Sequence, residues 1–321
     1  MEMRHATSSD FPRILELTRR SLGWTDQDAR YLVWKHGQNP FGASPMWIAE
    51  ADGRVVGFRA FLRWEFVDAD GIVVRAVRAV DTATDPDYQG QGIFTRLTRT
   101  AVEELSSEGV AFVFNTPNRQ SLPGYLKMGW QSLGRLTVAI RPGRLRFPFA
   151  AVTARRGADR WPLPTTAGLA AAEALADSTA IERLTATVPR TSGLTTRRGA
   201  AYLAWRYGFE PLGYRALLVG ANVDAGLALF RLRRRGHAVE ATIGDLLVPG
   251  GDTHVRHALL RAIGRTARPD YLIRLADESH PASPRGWVRA IGPVLASRPL
   301  AGSPPSALGD WALTMGDVEL L

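Results

Sequence analysis

The residues best suited to chemistry lie between Gln89 and Phe94, inside the stretch DYQGQGIFTRL (87–97). Gly90 and Gly92 stand one residue apart where a strand-patterned run, VVRAVRAVDTAT, gives way to a helix-patterned one, GIFTRLTRTAVEELSSEG. Glycines at such a junction let the backbone take a positive φ and come close to a ligand. The unsatisfied N–H groups of the helix's first turn then point at that ligand, and the helix dipole adds attraction for an anion. Two nucleotide motifs built on the same physics are excluded. A Walker loop needs a lysine that is absent here, and a dinucleotide fingerprint needs a glycine where Thr95 stands. Taken alone, the GxG pair is equally well read as a glycine-eased turn. Asp252, His254 and His257 are the candidates for a metal site. Two of the three share one helix face and no fourth ligand suggests itself, so a solvated helix start is expected and no metal.

The elements that must position this turn occur twice. YLVWKHGQNPFG (31–42) reappears as YLAWRYGFEPLG (202–213), with Tyr, Leu, Trp, Gly, Pro and Gly identical in place and Lys35 matched by Arg206. Each copy is followed by a hairpin pattern, one turning at Asp52-Gly53 and the other near Asn222 to Gly226. A third strand, an amphipathic helix (FTRLTRTAVEELSSEG; HVRHALLRAIGRTAR) and a short apolar run (AFVFNT; YLIRLA) then follow in both. Matching motif and element order predict two copies of one α/β unit. The Pro-, Gly- and Arg-rich stretch 141–168 holds the boundary, giving a first domain at 1–145, a linker at 146–166 and a second domain at 167–321. LAAAEALADSTAIERLTATV is expected as the helix opening the second unit, and WALTMGDVELL as the segment closing its sheet.

Composition narrows the partners. An apolar share of 45% suits a globular chain, and no apolar run approaches membrane-spanning length, so no membrane partner is expected. The first residues, MEMRHATSSDF, have no apolar core of a secretory signal, so a cytoplasmic protein is expected. With no cysteine there is no disulfide, thiolate metal site or cysteine nucleophile. The net charge of +9 raises nucleic acid as a partner, but no recognition motif accompanies the scattered arginines, and no nucleic-acid partner is expected.

Two blocks together resemble the GNAT superfamily of acyl-CoA-dependent N-acyltransferases. Gln89-Gly90-Gln91-Gly92-Ile93-Phe94 is similar to the family's Q/R-x-x-G-x-G/A pyrophosphate loop, with Phe94 standing where a small residue is usual. Asn118 to Trp130, NRQSLPGYLKMGW, resembles its N-x-x-A/S-x-x-x-Y-x-K-x-G-F/Y/W segment, at the family's spacing after AFVFNT. MRHATSSDFPRILEL resembles the family's first strand and helix, so the good match covers roughly 1–140.

The resemblance implies an α/β fold of two tandem GNAT-like domains, each a central mixed sheet flanked by helices. It implies acetyl-CoA as co-substrate, with Thr82, Ala83 and Thr84 pairing its pantetheine arm. The amides of Gln89, Gly90, Gln91, Gly92, Ile93 and Phe94 would hold its pyrophosphate, and Asn118 would bond the arm near the thioester. Tyr125 is then the general acid, and Asp81 either faces the acceptor amine, orienting or deprotonating it, or caps a strand end. Glu65, Asp68 and Asp70 are weaker alternatives, and Trp24, Trp34 and Trp64 fall where the family shapes its acceptor pocket. The second copy reads GGDTHV (250–255) at the loop and lacks the Asn-to-Tyr block, which marks it as degenerate. The expected activity is acetyl transfer to a primary amine of a small molecule or peptide. A longer acyl donor, or a CoA-binding regulatory protein without turnover, is the alternative. A chain that carries both copies is expected as a monomer, with a dimer as the alternative.

Overall fold

The turn expected at Asp52-Gly53 is present in the computed structural model, which describes residues 1–24, 29–143, 157–276 and 286–319. Both residues are left-handed (φ 50° and 73°), the conformation a two-residue hairpin turn demands. The chain separates into two units: 1–134 with 293–308, and 135–292 with 309–321. Each holds a mixed sheet flanked by helices, and the α/β expectation is met in both.

The first unit begins with β1 (Glu2–His5), α1 (Phe11–Leu22) and α2 (Ala29–Leu32), which runs on into one wider turn at Val33–Gly37. The hairpin β2 (Met46–Ala51) and β3 (Arg54–Val67) follows, then β4 (Val73–Thr84), α3 (Ile93–Ser107), β5 (Phe112–Asn115), α4 (Leu122–Lys127) and β6 (Gln131–Arg135). Strands lie in the order β1-β2-β3-β4-β5, then a late strand Val294–Pro299, then β6. The late strand pairs antiparallel with β5, from Ala296↔Asn115 to Pro299↔Phe112. Ile93, Leu97, Ala101 and Leu105 recur on one face of α3 and pack on Ala49, Val56, Phe61, Val77 and Val113 of the sheet. Gly57 permits that close approach, since a Cβ there would meet Ile93 Cγ2 at 2.4 Å.

The second unit takes β7 (Val138–Pro142), β8 (Leu169–Ala170), α5 (Ala171–Ala174), α6 (Ser178–Thr187), β9 (Thr195–Thr196) and α7 (Ala200–Gly208). It continues with β10 (Arg215–Leu218), β11 (Leu227–Arg235), β12 (Ala238–Leu247), α8 (Thr253–Thr266), β13 (Tyr271–Leu275), β14 (Trp287–Arg289) and α9 (Met315–Val318). Its sheet runs β14-β7-β13-β12-β11-β10-β8, with α8 packing Leu259, Leu260 and Ile263 on Phe230, Ala241, Ile243 and Leu272. The hairpin, third strand, helix and parallel strand expected in this half are all present (β10, β11, β12, α8, β13).

Three expectations are corrected. The linear division at 145 and 167 does not describe these units. Residues 138–142 pair with β13 and β14 in the second sheet, while 294–299 join the first. Part of the expected linker, 146–156, lies outside the described residues. The run opening the second half is not one helix, because Asp177 accepts from the Ala180 N–H and starts a new one, α6. The terminal segment is a helical turn rather than a strand closing the sheet: Thr314 and Asp317 form the capping box that starts it.

Candidate active site

Asp85 sets up the turn that enters the glycine pair. Its buried carboxylate is ion-paired with Arg20 and accepts from the Asp87 N–H (3.1 Å), holding the short helical turn Pro86–Tyr88. Gly90 and Gly92 are both left-handed (φ 77° and 74°), and a Cβ at either would meet nothing within 4 Å. Gly92 is the N-cap of α3, so the first-turn amides from Ile93 onward have no helical acceptor and face an open, exposed turn.

From this turn the backbone of β4 runs back along the site. β4 pairs with β5 from Ala76↔Phe112 to Arg78↔Phe114, so beyond Arg78 that side of β4 carries no strand pairing through Thr84 among the described residues. Thr82, Ala83 and Thr84 lie in this splayed segment, paired with β3 on the other side. The register steps from Ala60↔Val80 to Arg59↔Thr82, making Asp81 the extra residue of a β-bulge, with φ 28°.

The Asp81 carboxylate is fully engaged. Lys35 Nζ donates to it at 2.8 Å and His36 Nε2 at 2.9 Å, while Ser44 Oγ lies 3.0 Å from the other imidazole nitrogen. Because a carboxylate only accepts, Nε2 carries the proton and Nδ1 accepts from Ser44. Burial alone would raise the Asp81 proton affinity, but Lys35 and His36 outweigh it and hold the carboxyl well below the usual range. Burial lowers the proton affinity of His36, with Asp81 partly opposing, so the ring is neutral. A carboxylate held this way is a poor proton acceptor. It positions the bulge.

Both shifts are downward, so both groups stabilise the fold above their unfolded values and lose that contribution as pH falls. Stability measured by urea melts should therefore decline from about pH 7 toward pH 4, His36 acting first and Asp81 below about pH 4. Asp81→Asn should cost about 3–5 kcal/mol by removing the buried carboxylate that both Lys35 and His36 meet, and Lys35→Met in the same chain should recover part of that loss.

Tyr125 lies on α4, buried at 3% exposure, with Phe94 edge-on at 5.5 Å and Trp130 at 5.1 Å. Phe94 finds room because position 124 is glycine, where a Cβ would already stand 3.2 Å from its ring. The large residue at the end of the turn thus packs against Tyr125. Asn118 does a local job first: its Oδ1 accepts from the Gln120 and Ser121 N–H groups (both 2.9 Å), shaping the entry to α4. Trp34 and Trp64 are buried at 5% and 1%, Trp64 edge-on to Phe41 and Phe114, and serve the core.

The site residues thus fall into two groups: the glycine turn with the splayed strand, and Tyr125 with Phe94. Sequence reasoning did not single out Arg20, Lys35 or His36 as candidate site residues. The signal for Lys35 was its match to Arg206 in the repeat.

The second unit shows what the same elements do without a free turn. Asp252 caps α8, its Oδ1 accepting from the His254 N–H at 2.7 Å and the Val255 N–H at 3.3 Å. The helix start is filled by the chain's own carboxylate. The β12 bulge falls at Gly244, where a Cβ would meet the Tyr207 ring at 2.6 Å, and Tyr207 donates instead to Asp245. Among the described residues no cluster of three or more His, Asp or Glu side chains could hold a metal, and no helix is long and apolar enough to cross a membrane.

Residues 2–133 match the acetyltransferase (GNAT) domain family. No curated protein matches the chain in sequence. Among solved structures, a GCN5-related N-acetyltransferase from Kribbella flavida aligns with a TM-score of 0.60 at 15% identity, over 94% of this chain and 71% of that one. Another from Anabaena variabilis gives 0.59 at 14%, over 93% and 73%. Eis1 from Mycobacterium abscessus gives 0.59 at 13%, over 94% and 74%. At these identities the likeness is one of fold, and it runs through both units.

Proposed function

We propose, starting from an acyltransferase domain of the GNAT family over residues 2–133, that the first unit moves an acetyl group from acetyl-CoA to a primary amine of a small molecule or peptide. One observation carries this reading. The anion-ready turn at Gly90–Gly92, the unpaired edge of β4 and Tyr125 follow one another in a single unit. The turn's amides would hold the pyrophosphate, the Thr82–Thr84 backbone would pair with the pantetheine arm, and the Asn118 amide NH2 remains to meet the arm.

In the reaction the amine nitrogen bonds to the thioester carbonyl carbon and the carbon–sulfur bond breaks. The ammonium proton leaves to solvent water, since Asp81 already accepts from Lys35 and His36. Tyr125 gives its proton to the departing thiolate and regains one from solvent. The products are an amide and a free thiol. The second unit is read as a degenerate copy whose turn closed around Asp252.

The test is a thiol-release assay over a panel of primary amines. Turnover with at least one amine is expected, and Tyr125→Phe should lower kcat about 10²–10⁴-fold with little change in KM. Tight CoA binding without thiol release from any amine would favour the regulatory alternative.

A further inference from the structure

Among the described residues of the first unit, Arg59 is a buried charge that no carboxylate meets. It sits on β3 opposite Thr82 and is 1% exposed. Its Nε and Nη2 are buried with no hydrogen-bond partner, and Nη1 reaches only the Val80 carbonyl, at 3.4 Å. The guanidinium rests on aromatic faces, 4.5 Å from the centre of Phe61, 5.4 Å from Tyr125 and 5.5 Å from Phe94. Such stacking offsets only part of the cost of burying an unpaired ion.

Among the described residues, three other buried arginines each have a carboxylate within ion-pair distance. Arg198 meets Asp245 at 2.9 Å, Arg231 meets Glu319 at 3.2 Å, and Arg233 meets Glu240 at 3.0 Å. The two open donors of Arg59 therefore call for an anion brought by a ligand. Its position says which part of the ligand. Val80 immediately precedes the bulge, whereas the glycine turn lies beyond Thr84, about four residues or roughly 13 Å of extended strand away. The turn is exposed and the guanidinium is not. The rings around Arg59 include Tyr125, the proposed proton donor to the thiolate, so the guanidinium lies at the acyl end of the donor rather than at its phosphates.

We propose that Arg59 selects an acyl-CoA whose acyl group ends in a carboxylate, a dicarboxylic monothioester such as succinyl-CoA, by a bidentate pair with Nε and Nη2. This rests on the acyl-CoA reading above and replaces its acetyl donor with a dicarboxylic one. The transfer itself is unchanged: the amine receives a carboxyacyl group, CoA leaves as the thiol, and the distal carboxylate stays paired with Arg59.

Calorimetric titration with CoA, acetyl-CoA and succinyl-CoA tests it without an acceptor. The wild-type chain should bind succinyl-CoA about 10–100-fold more tightly than acetyl-CoA, a charge-assisted pair's worth of preference. Arg59→Met, close in volume and able to keep the aromatic contacts, should erase that difference while leaving acetyl-CoA within about threefold. Equal wild-type affinities for the two thioesters would overturn the assignment, and that comparison needs no variant to fold. An Arg59→Met chain that loses both thioesters equally would also overturn it, making Arg59 a group for the common part of the donor. Failure of CoA itself to bind would instead strike the acyltransferase reading.

Discussion

Gly92→Asp should abolish acyl-CoA binding, with an affinity loss of at least about 100-fold measured by calorimetry. The substitution acts in two ways. It places a side chain at φ 74°, a strain of about 1–2 kcal/mol for most residues and less for aspartate. More importantly, it sets a carboxylate at the first turn of α3, where the free amides would otherwise meet a phosphate. The chain contains its own precedent in Asp252, which consumes two amides at the start of α8. Gly92→Ala separates the two effects, since it carries the strain without the charge. It should weaken binding by no more than about tenfold, and thermal melts should show both variants folded. If Gly92→Asp binds acyl-CoA as the wild type does, the turn holds no pyrophosphate.

Deleting residues 315–321 should unfold the second unit. Asp317 is fully buried and pairs with Arg198, and it also accepts from the Thr314 N–H at 2.7 Å. Arg206 donates to the Gly316 carbonyl at 2.8 Å and to the Glu319 carbonyl at 2.7 Å. Glu319 carries the charge contacts of Arg231 and Arg233. Burial would raise the Glu319 proton affinity, but Arg231 and Arg233 hold it below the usual range. Glu240 is pushed down to about 2: burial would raise it, and Arg235 and Arg233 outweigh that. Removing the tail strands buried guanidinium groups, each broken pair costing about 3–5 kcal/mol, against about 5–15 kcal/mol for a whole domain. The truncated chain should show no cooperative melt for this unit. The milder Glu319→Gln should shift the urea midpoint downward yet leave one transition. A truncated chain that melts like the full one would show that the arginines find other anions.

How much of this was legible in the sequence differs by the range of the interactions involved. The Asp52-Gly53 hairpin and the Gly90–Gly92 turn were readable because their conformations are decided within a few residues. The twelve-residue repeat pointed to matched elements, and α2 with α7, β4 with β12 and α3 with α8 all formed. The role of 311–321 was not legible, because a local capping box sets its turn and the buried arginines that hold Asp317 and Glu319 come from far upstream. Arg59 lies in the run read as the hairpin's second strand, but its lack of a carboxylate depends on every element packed around it. The engagement of Asp81 needed Lys35 and His36 brought from 45 residues away or more. Strand partners for 138–142 and 294–299 were hidden for the same reason, since period-two patterning marks a strand and says nothing about which sheet receives it.

That exchange of strands has a consequence in time. As the chain emerges during synthesis, β5 must wait for residues 294–299 before its second edge is paired. At about 5–20 residues per second, residues 135–292 take roughly ten to thirty seconds to appear. Through that interval the nascent first unit presents the bare edge of Phe112–Asn115, a template for pairing with neighbouring chains. A ribosome-bound chain stopped near residue 140 should therefore depend on a chaperone for solubility, and one extended past residue 308 should not.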